Sequence, residues 1–308
     1  MIPSVACIGL LVADTVGAAI DTLPKRGTLE LIDRIALHTG GCGANTTTGL
    51  AKLGVPVNLI GKVGRDGFGD FMVGALSQRG VGTAGVARDA TEPTSATIVT
   101  VHSDAERSFL HVLGANATFT AKDVDWSAIE GAKILHIAGL QLLPAFEGDD
   151  VASVLAEAKR RGITTTLDTV MNPRSRWWDG LVAALPYLDW ALPSLVEAER
   201  LTGTRDPMEQ TRILKEAGAK NVVVKLDAEG CYVAPAEGTP FIAPPLTVTA
   251  VDSLGAGDAW VAGFLTGLVE GWSLDKIARF ANAVGACCVT AYGSTDGIRS
   301  REETLALL

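Results

Sequence analysis

The chain has 308 residues, 47% of them hydrophobic and 20% charged, with a formal net charge of −9. This is the balance of a globular chain with a large core, and it excludes a disordered one. The negative charge argues against a nucleic-acid partner or an anionic membrane surface, but leaves room for a local basic pocket.

The first eleven residues, Met1 to Leu11, are apolar without a basic stretch and reach Asp14 quickly. They read as a buried first strand rather than a signal peptide. No uninterrupted apolar run reaches the roughly 18 residues of a membrane span. Residues 11–38 and 92–113 carry strand-like patches, such as Thr97–Val101 and Ser108–Val112, without helices between them. They predict a small antiparallel sheet projecting from the main body, suited to a lid that keeps water from a reaction.

From residue 120 the pattern changes. Ile134–Ala138, Ile163–Leu167, Trp190–Leu192, Asn221–Lys225 and Thr247–Val251 read as strands. Helices are expected over Asp149–Arg161, near Ser194–Thr202 and Pro207–Ala217, and over Leu274–Ala291. Strands alternating with helices imply right-handed crossovers and a mostly parallel sheet covered on both faces. His136 falls in an apolar strand and reads as a satisfied core residue. The four histidines are not closely paired, so they give little support to a zinc site. Five cysteines (Cys7, Cys42, Cys231, Cys287, Cys288) without CxxC spacing point to a reducing cytoplasm rather than a disulfide framework. The adjacent Cys287 and Cys288 read as helix packing.

The chemistry concentrates in residues 252–258, Asp-Ser-Leu-Gly-Ala-Gly-Asp, between an apolar run and a helix read as amphipathic. Gly255 and Gly257 around Ala256 let the backbone turn tightly with its N–H groups converging at a helix start. The helix adds the positive end of its dipole, and Asp258 sits in its first turn. A carboxylate beside a nest of amides suits phosphoryl transfer from a nucleotide to a hydroxyl. No GxxxxGK[ST], GxGxxG or GxSxG motif is present, so this turn is the leading phosphate site.

A second glycine-rich stretch lies far upstream: Gly40-Gly41-Cys42-Gly43-Ala44-Asn45, then Ala51-Lys52-Leu53-Gly54, then Gly61-Lys62-Val63-Gly64-Arg65-Asp66-Gly67-Phe68-Gly69. Together the two stretches resemble the paired signatures of the ribokinase-like, or PfkB, carbohydrate kinase family. Ser253 stands where the downstream signature has Thr and keeps the hydroxyl. The resemblance spans nearly the whole chain. It implies one domain over residues 1–308, with a three-layer α/β/α ribokinase-like fold, a mostly parallel central sheet and the small β-sheet lid of 11–38 and 92–113.

The resemblance also implies roles for particular residues. Asp258 would be the catalytic base, with the Gly255, Ala256 and Gly257 amides as anion hole. Asp14, Gly40, Gly41 and Asn45 would meet the sugar. Cys42 stands where ribokinases often carry Lys, which weakens a ribose-specific reading. Gly114-Ala115-Asn116-Ala117 resembles a segment after the ribokinase lid and places Asn116 among the sugar contacts. The stretch from Asp168 to Trp178 is similar to one in fructokinase and ketodeoxygluconate-kinase branches; it contributes Asn172 and Arg174.

On the nucleotide side, the Ser194-Leu195-Val196-Glu197 segment is similar to an Asn-x-x-Glu element. Ser194 replaces its Asn, and Glu197 would reach magnesium-bound water. Val222–Leu226, including Lys225, with Asp227 and Gly230, resembles the strand and turn that hold ATP. Asp227 replaces a usual glycine, and its carboxylate must point away from a triphosphate or meet a cation. Asp252 matches a position near the nucleotide and a monovalent-cation loop, and Asn282 and Gly293 match adenine-side positions. ATP and Mg²⁺ follow as cofactors, with K⁺ a candidate, and a homodimer is expected through the lid. The implied activity is ATP-dependent phosphorylation of a small sugar or sugar-like polyol. Two alternatives stay open: a nucleoside kinase, and a non-catalytic sugar- or nucleotide-binding regulator on the same fold.

Overall fold

A computed structural model describes residues 2–103 and 106–308; residues 104 and 105, within the 92–113 lid segment, lie outside the described residues. In chain order the strands are β1 (Val5–Gly9), β2 (Val12–Ala18), β3 (Arg34–Gly40), β4 (Val57–Gly64), β5 (Val86–Asp89), β6 (Ala96–Val101) and β7 (Arg107–Val112). They continue with β8 (Ile134–Ala138), β9 (Thr164–Leu167), β10 (Trp190–Ala191), β11 (Asn221–Lys225), β12 (Cys231–Ala234) and β13 (Phe241–Ala243). The helices are α1 (Cys42–Lys52), α2 (Gly67–Gln78), α3 (Asp149–Arg160), α4 (Trp178–Leu181), α5 (Leu195–Thr202), α6 (Pro207–Glu216), α7 (Ala256–Val269), α8 (Leu274–Cys288) and α9 (Arg301–Leu305).

Among the described residues, nine strands form the main sheet in the order β13-β12-β11-β10-β9-β8-β1-β4-β5. Every neighbouring pair is parallel except β11–β12 and β12–β13, which close one edge antiparallel. Alternation along β1 feeds two cores. Val5 and Cys7 pack with residues of α1, α7 and α8, while Ala6 and Ile8 pack with residues of α3, α5 and α6. Both faces of the sheet are therefore covered, which is why its strands read as near-continuous apolar runs. The chain passes from β1 to β4 and β5 on one side and returns with β8 on the other. The carboxyl ends of β1 and β8 thus flank the kind of switch point where such sheets hold ligands.

The second sheet has the order β3-β2-β6-β7. It is mixed rather than antiparallel as expected, because β2 and β6 pair in parallel. β1 and β5 belong to one parallel series, so the chain leaves both at the same edge of the body and the continuing strands rise side by side. Buried Asn116 fixes the joint: its amide donates to Leu11 O at 3.0 Å and its oxygen accepts from Leu11 N at 3.5 Å.

Three further expectations need correction. Residues 247–250 carry no regular structure and 251 is a bend, so no strand forms at Thr247–Val251. Pro244 and Pro245 cannot donate to a ladder, and the edge is made instead by the β12–β13 hairpin. α7 is not amphipathic, since Asp258 through Gly267 are all buried. It is clamped between α1 and α8, where an added Cβ on Gly263 would stand 2.9 Å from Ala281 Cα. α8 ends at Cys288, three residues earlier than its pattern suggests.

Candidate active site

One cavity of about 1000 Å³ opens between the lid and the carboxyl ends of the main strands. Three strands end in charge or hydrogen-bonding groups there: Asp168 follows β9, Ser194 follows β10 and Lys225 closes β11. Lys225 Nζ lies 3.6 Å from Asp168 Oδ2, and both are buried. Burial opposes charge on Lys225, but Asp168, Glu197 and Asp258 surround it and raise its pKa overall. Burial likewise pushes Asp168 up, while Lys225 pulls the other way. Asp168 Oδ1 also accepts from Gly139 N at 2.9 Å.

The two glycine-rich stretches meet at this cavity. Asn45, on α1, donates from Nδ2 to Asp258 Oδ2 at 2.8 Å across 213 residues of sequence. Its oxygen accepts from the Ser294 hydroxyl at 2.8 Å, so the amide is held from both sides. Asp258 is buried, and burial pushes its pKa up to about 6 against the opposing effects of Asn45 and Lys225. The neighbouring Cys42 thiol opposes it as well.

Gly255 holds the turn open at φ 76, where a side chain would also strike Ser294 O. Of the three amides expected to form an anion hole, Ala256 N–H turns back toward Ser253 O at 3.3 Å. The N–H groups of Gly255, Gly257 and Asp258 find no acceptor in the turn among the described residues. The open donors are therefore residues 255, 257 and 258, at the positive end of the α7 dipole. A Cβ on Gly257 would stand 3.6 Å from Lys225 Nζ, so the ammonium flanks the same space.

The lid presents its inner face to the cavity in rows set by strand register. The row nearest the body is His38, Asp14, Thr97 and His111; the next is Ala36, Val16, Val99 and Phe109; the outermost is Arg34, Ala18, Val101 and Arg107. Burial pushes Asp14 up to about 6, and a hydrogen bond from Thr97 partly opposes that. Thr97 Oγ1 in turn lies 3.0 Å from His111 Nδ1. Gly40 makes room for this carboxylate: an added Cβ would stand 2.8 Å from Asp14 Cγ and overlap Oδ2. Gly41, at φ 91, lines the cavity where α1 begins.

Ser194 N-caps α5 in a reciprocal capping box with Glu197. Glu197 Oε2 accepts from Ser194 N at 2.8 Å and from the Thr169 hydroxyl at 2.9 Å, and Glu197 lines the cavity. Among the described residues no group of three or more His, Cys, Asp or Glu converges as a metal site. A magnesium ion here would arrive on the phosphates of a nucleotide, keeping waters among its ligands. Asp227 lines the cavity at φ 52, which explains why glycine suits this position, and its side chain is exposed. Gly293 lines the cavity at φ 97.

Several expected site residues stand elsewhere. Asn116 is spent on Leu11, as described above. Asn282 accepts from Trp260 Nε1 at 2.8 Å and donates to Ala243 O and Pro244 O, so it braces α8 against the sheet edge rather than facing the cavity. Gly230, at φ 91, shapes the β11–β12 turn against Ala243 O. Arg174 is exposed in a loop outside the cavity wall, with its N–H on Asn172 Oδ1 at 3.0 Å. Asp252 sits behind the turn rather than on the wall. His136 is buried with Nδ1 on Thr166 at 2.8 Å, but its Nε2 has no partner among the described residues, so it is only half satisfied. Asp168 and Ser294 were not singled out from sequence. The available signal was an acidic residue closing a buried apolar strand.

Comparison with known proteins places these features in context. Residues 3–301 match the family described as pfkB family carbohydrate kinase. The chain is 31% identical over 274 residues to the ribokinase of Haemophilus influenzae, covering 87% of each. It is 29% identical over 292 residues to the 2-dehydro-3-deoxygluconokinase of Bacillus subtilis, covering 92% of this chain and 90% of that one. The structure of Arabidopsis thaliana ribokinase complexed with ribose and ATP superposes with a TM-score of 0.85 at 27% identity, over 100% of this chain and 99% of that one.

Proposed function

Because the chain belongs to the pfkB family of carbohydrate kinases, we propose that Asp258 is the base of its reaction and the adjoining amides its anion hole. The protein is a sugar kinase, a phosphotransferase with an alcohol group as acceptor. The observation that carries the assignment is the Asn45–Asp258 hydrogen bond, which unites both glycine-rich stretches at one cavity.

The small sugar binds beneath the lid with a hydroxyl on Asp14, beside Gly40, Gly41 and Asn45. Ser194, Lys225, Asp227 and Gly293 would hold Mg·ATP, whose magnesium would supply charge to the phosphates, and Glu197 would hold a magnesium-bound water. Asp258 accepts the proton of the attacking hydroxyl as that oxygen bonds to the γ-phosphorus. The bond from the γ-phosphorus to the bridging oxygen breaks, and ADP leaves. Residues 255, 257 and 258 donate N–H groups to the transferring phosphoryl oxygens, and Lys225 adds positive charge. In so loose a transition state most of the catalysis is positioning and charge stabilisation. The raised pKa of Asp258 makes it a stronger proton acceptor than an exposed carboxylate.

The lid's outer face supports a homodimer. Leu37, Ile98 and Leu110 share one cross-strand row there, with Ile35 and Val112 on the neighbouring rows, all exposed. A second copy of this apolar face is its natural cover. ATP supply and five free cysteines suit the cytoplasm, and no helix among the described residues is long and apolar enough to cross a membrane.

The test is a coupled ADP-release assay over pentoses, hexoses, keto-sugars, sugar acids and nucleosides. Sugar-dependent ADP release is expected. Tight ligand binding without turnover on any compound would overturn the kinase reading, and turnover of nucleosides alone would replace its substrate class.

A further inference from the structure

Arg107 lies in the outermost inner row of the lid, but its guanidinium reaches the body. Nη2 donates to Asp252 Oδ2 at 2.8 Å. The same oxygen accepts from Gly293 N at 2.8 Å, and Oδ1 accepts from Leu254 N at 3.1 Å. One carboxylate thus ties together three pieces: lid strand β7, the turn that opens the amide nest, and the loop whose Ser294 holds Asn45. Burial opposes charge on Asp252, yet the Gly293 and Leu254 N–H groups and Arg107 together hold its pKa below the usual range.

The family resemblance puts a monovalent cation at this loop, and the residues present do not fit one. Both Asp252 oxygens are engaged, and one of the three donors carries a full positive charge. The nearby carbonyls are engaged as well. Val289 O accepts from Val251 N at 2.7 Å and Asp252 N at 3.2 Å, and the Cys288 thiol faces Ser294 O at 3.3 Å and Leu254 O at 3.7 Å. A free cation on Asp252 would stand beside the guanidinium, at a like-charge cost that partial burial screens poorly.

We infer that Arg107 supplies, from the lid, the positive charge that a free monovalent cation would otherwise bring to the 252–258 turn, so that lid closure sets the amide nest. Arg107 is then a positioning residue: it acts through Asp252, linking the sheet that covers the sugar to the loop that meets the nucleotide. Sugar and Mg·ATP therefore favour each other's binding through one ion pair. The inference rests on the kinase reading above.

The test compares turnover and Mg·ATP affinity in KCl and in choline chloride at equal ionic strength, for the wild type, Arg107→Met and Arg107→Lys. Wild-type values are expected to agree within about twofold between the salts. In choline, Arg107→Met should lose on the order of tenfold in kcat and in Mg·ATP affinity measured with sugar bound, with a matching rise in sugar KM at saturating Mg·ATP. K⁺ should restore it, and Arg107→Lys should fall between the two because it keeps the charge without the fork. A wild type that needs K⁺, an Arg107→Met variant equal to wild type in both salts, or a loss that K⁺ does not restore would each overturn the inference. Absence of both Mg·ATP binding and turnover in either salt would instead bring down the kinase reading, and this inference with it.

Discussion

Gly40→Ala separates the sugar site from the stability of the fold. Gly40 ends β3 outside the left-handed region, so its backbone accepts alanine. The unfolded chain, being stiffer, would by itself favour folding by about 0.4–1 kcal/mol. The new methyl, however, would stand 2.8 Å from Asp14 Cγ and overlap Oδ2, so the carboxylate must swing away from the cavity. If Asp14 accepts a sugar hydroxyl, the variant loses a charge-assisted hydrogen bond of about 1.5–3 kcal/mol. That corresponds to a rise in sugar KM of about 10- to 100-fold. KM for Mg·ATP should stay near wild type, since the nest lies across the cavity, and the melting temperature should change little. Steady-state kinetics with each substrate varied in turn, together with a thermal melt, reads all three quantities. A folded Gly40→Ala enzyme with unchanged sugar KM would refute the placement of Asp14 on the sugar.

Three further outcomes follow from the same geometry. Burial raises both Asp258 and Asp14 to about 6, and each acts only when ionised. A pH profile of kcat/KM should therefore level off above that value and fall below it with a slope between one and two; a flat profile down to pH 5 would count against Asp258 as base. The raised pKa of Asp14 also means that stability is fully present below about pH 4 and declines as pH rises through about 6. Asp14→Asn should accordingly melt higher than wild type at pH 8, by an amount equivalent to about 1–3 kcal/mol, with the gain vanishing in acid; an equal or lower melt at pH 8 would contradict the burial argument. Leu110→Lys, on the lid's outer face, should turn a dimer into a monomer by analytical ultracentrifugation. A wild type that is already monomeric would remove the lid interface.

The candidate site was legible because phosphate chemistry concentrates glycine and carboxylate in short runs, and the two runs, carrying Asn45 and Asp258, meet at one cavity. The layered sheet was legible because buried parallel strands are apolar runs separated by helices. What escaped was set by tertiary surroundings. α7 has no polar face because α1, α8 and the sheet enclose it, so no periodicity could mark its orientation. Asn116 and Asn282 carry the polar groups of site residues, yet the backbone carbonyls they satisfy are fixed only once the chain is folded. The Asp168–Lys225 pair joins the ends of β9 and β11, which the sequence separates by α4, β10, α5 and α6. Arg107 and Asp252 meet only because β7 rises beside the turn. Such pairings depend on strand order, which no local pattern encodes.

The most direct test of the account is Asp258→Asn, assayed for turnover and, separately, for sugar binding by calorimetry. The amide can still accept the hydrogen bond from Asn45, so sugar affinity should stay within about threefold while kcat falls by about 10²–10⁴. Near-wild-type kcat in a folded Asp258→Asn enzyme would contradict the assignment of Asp258 as the base.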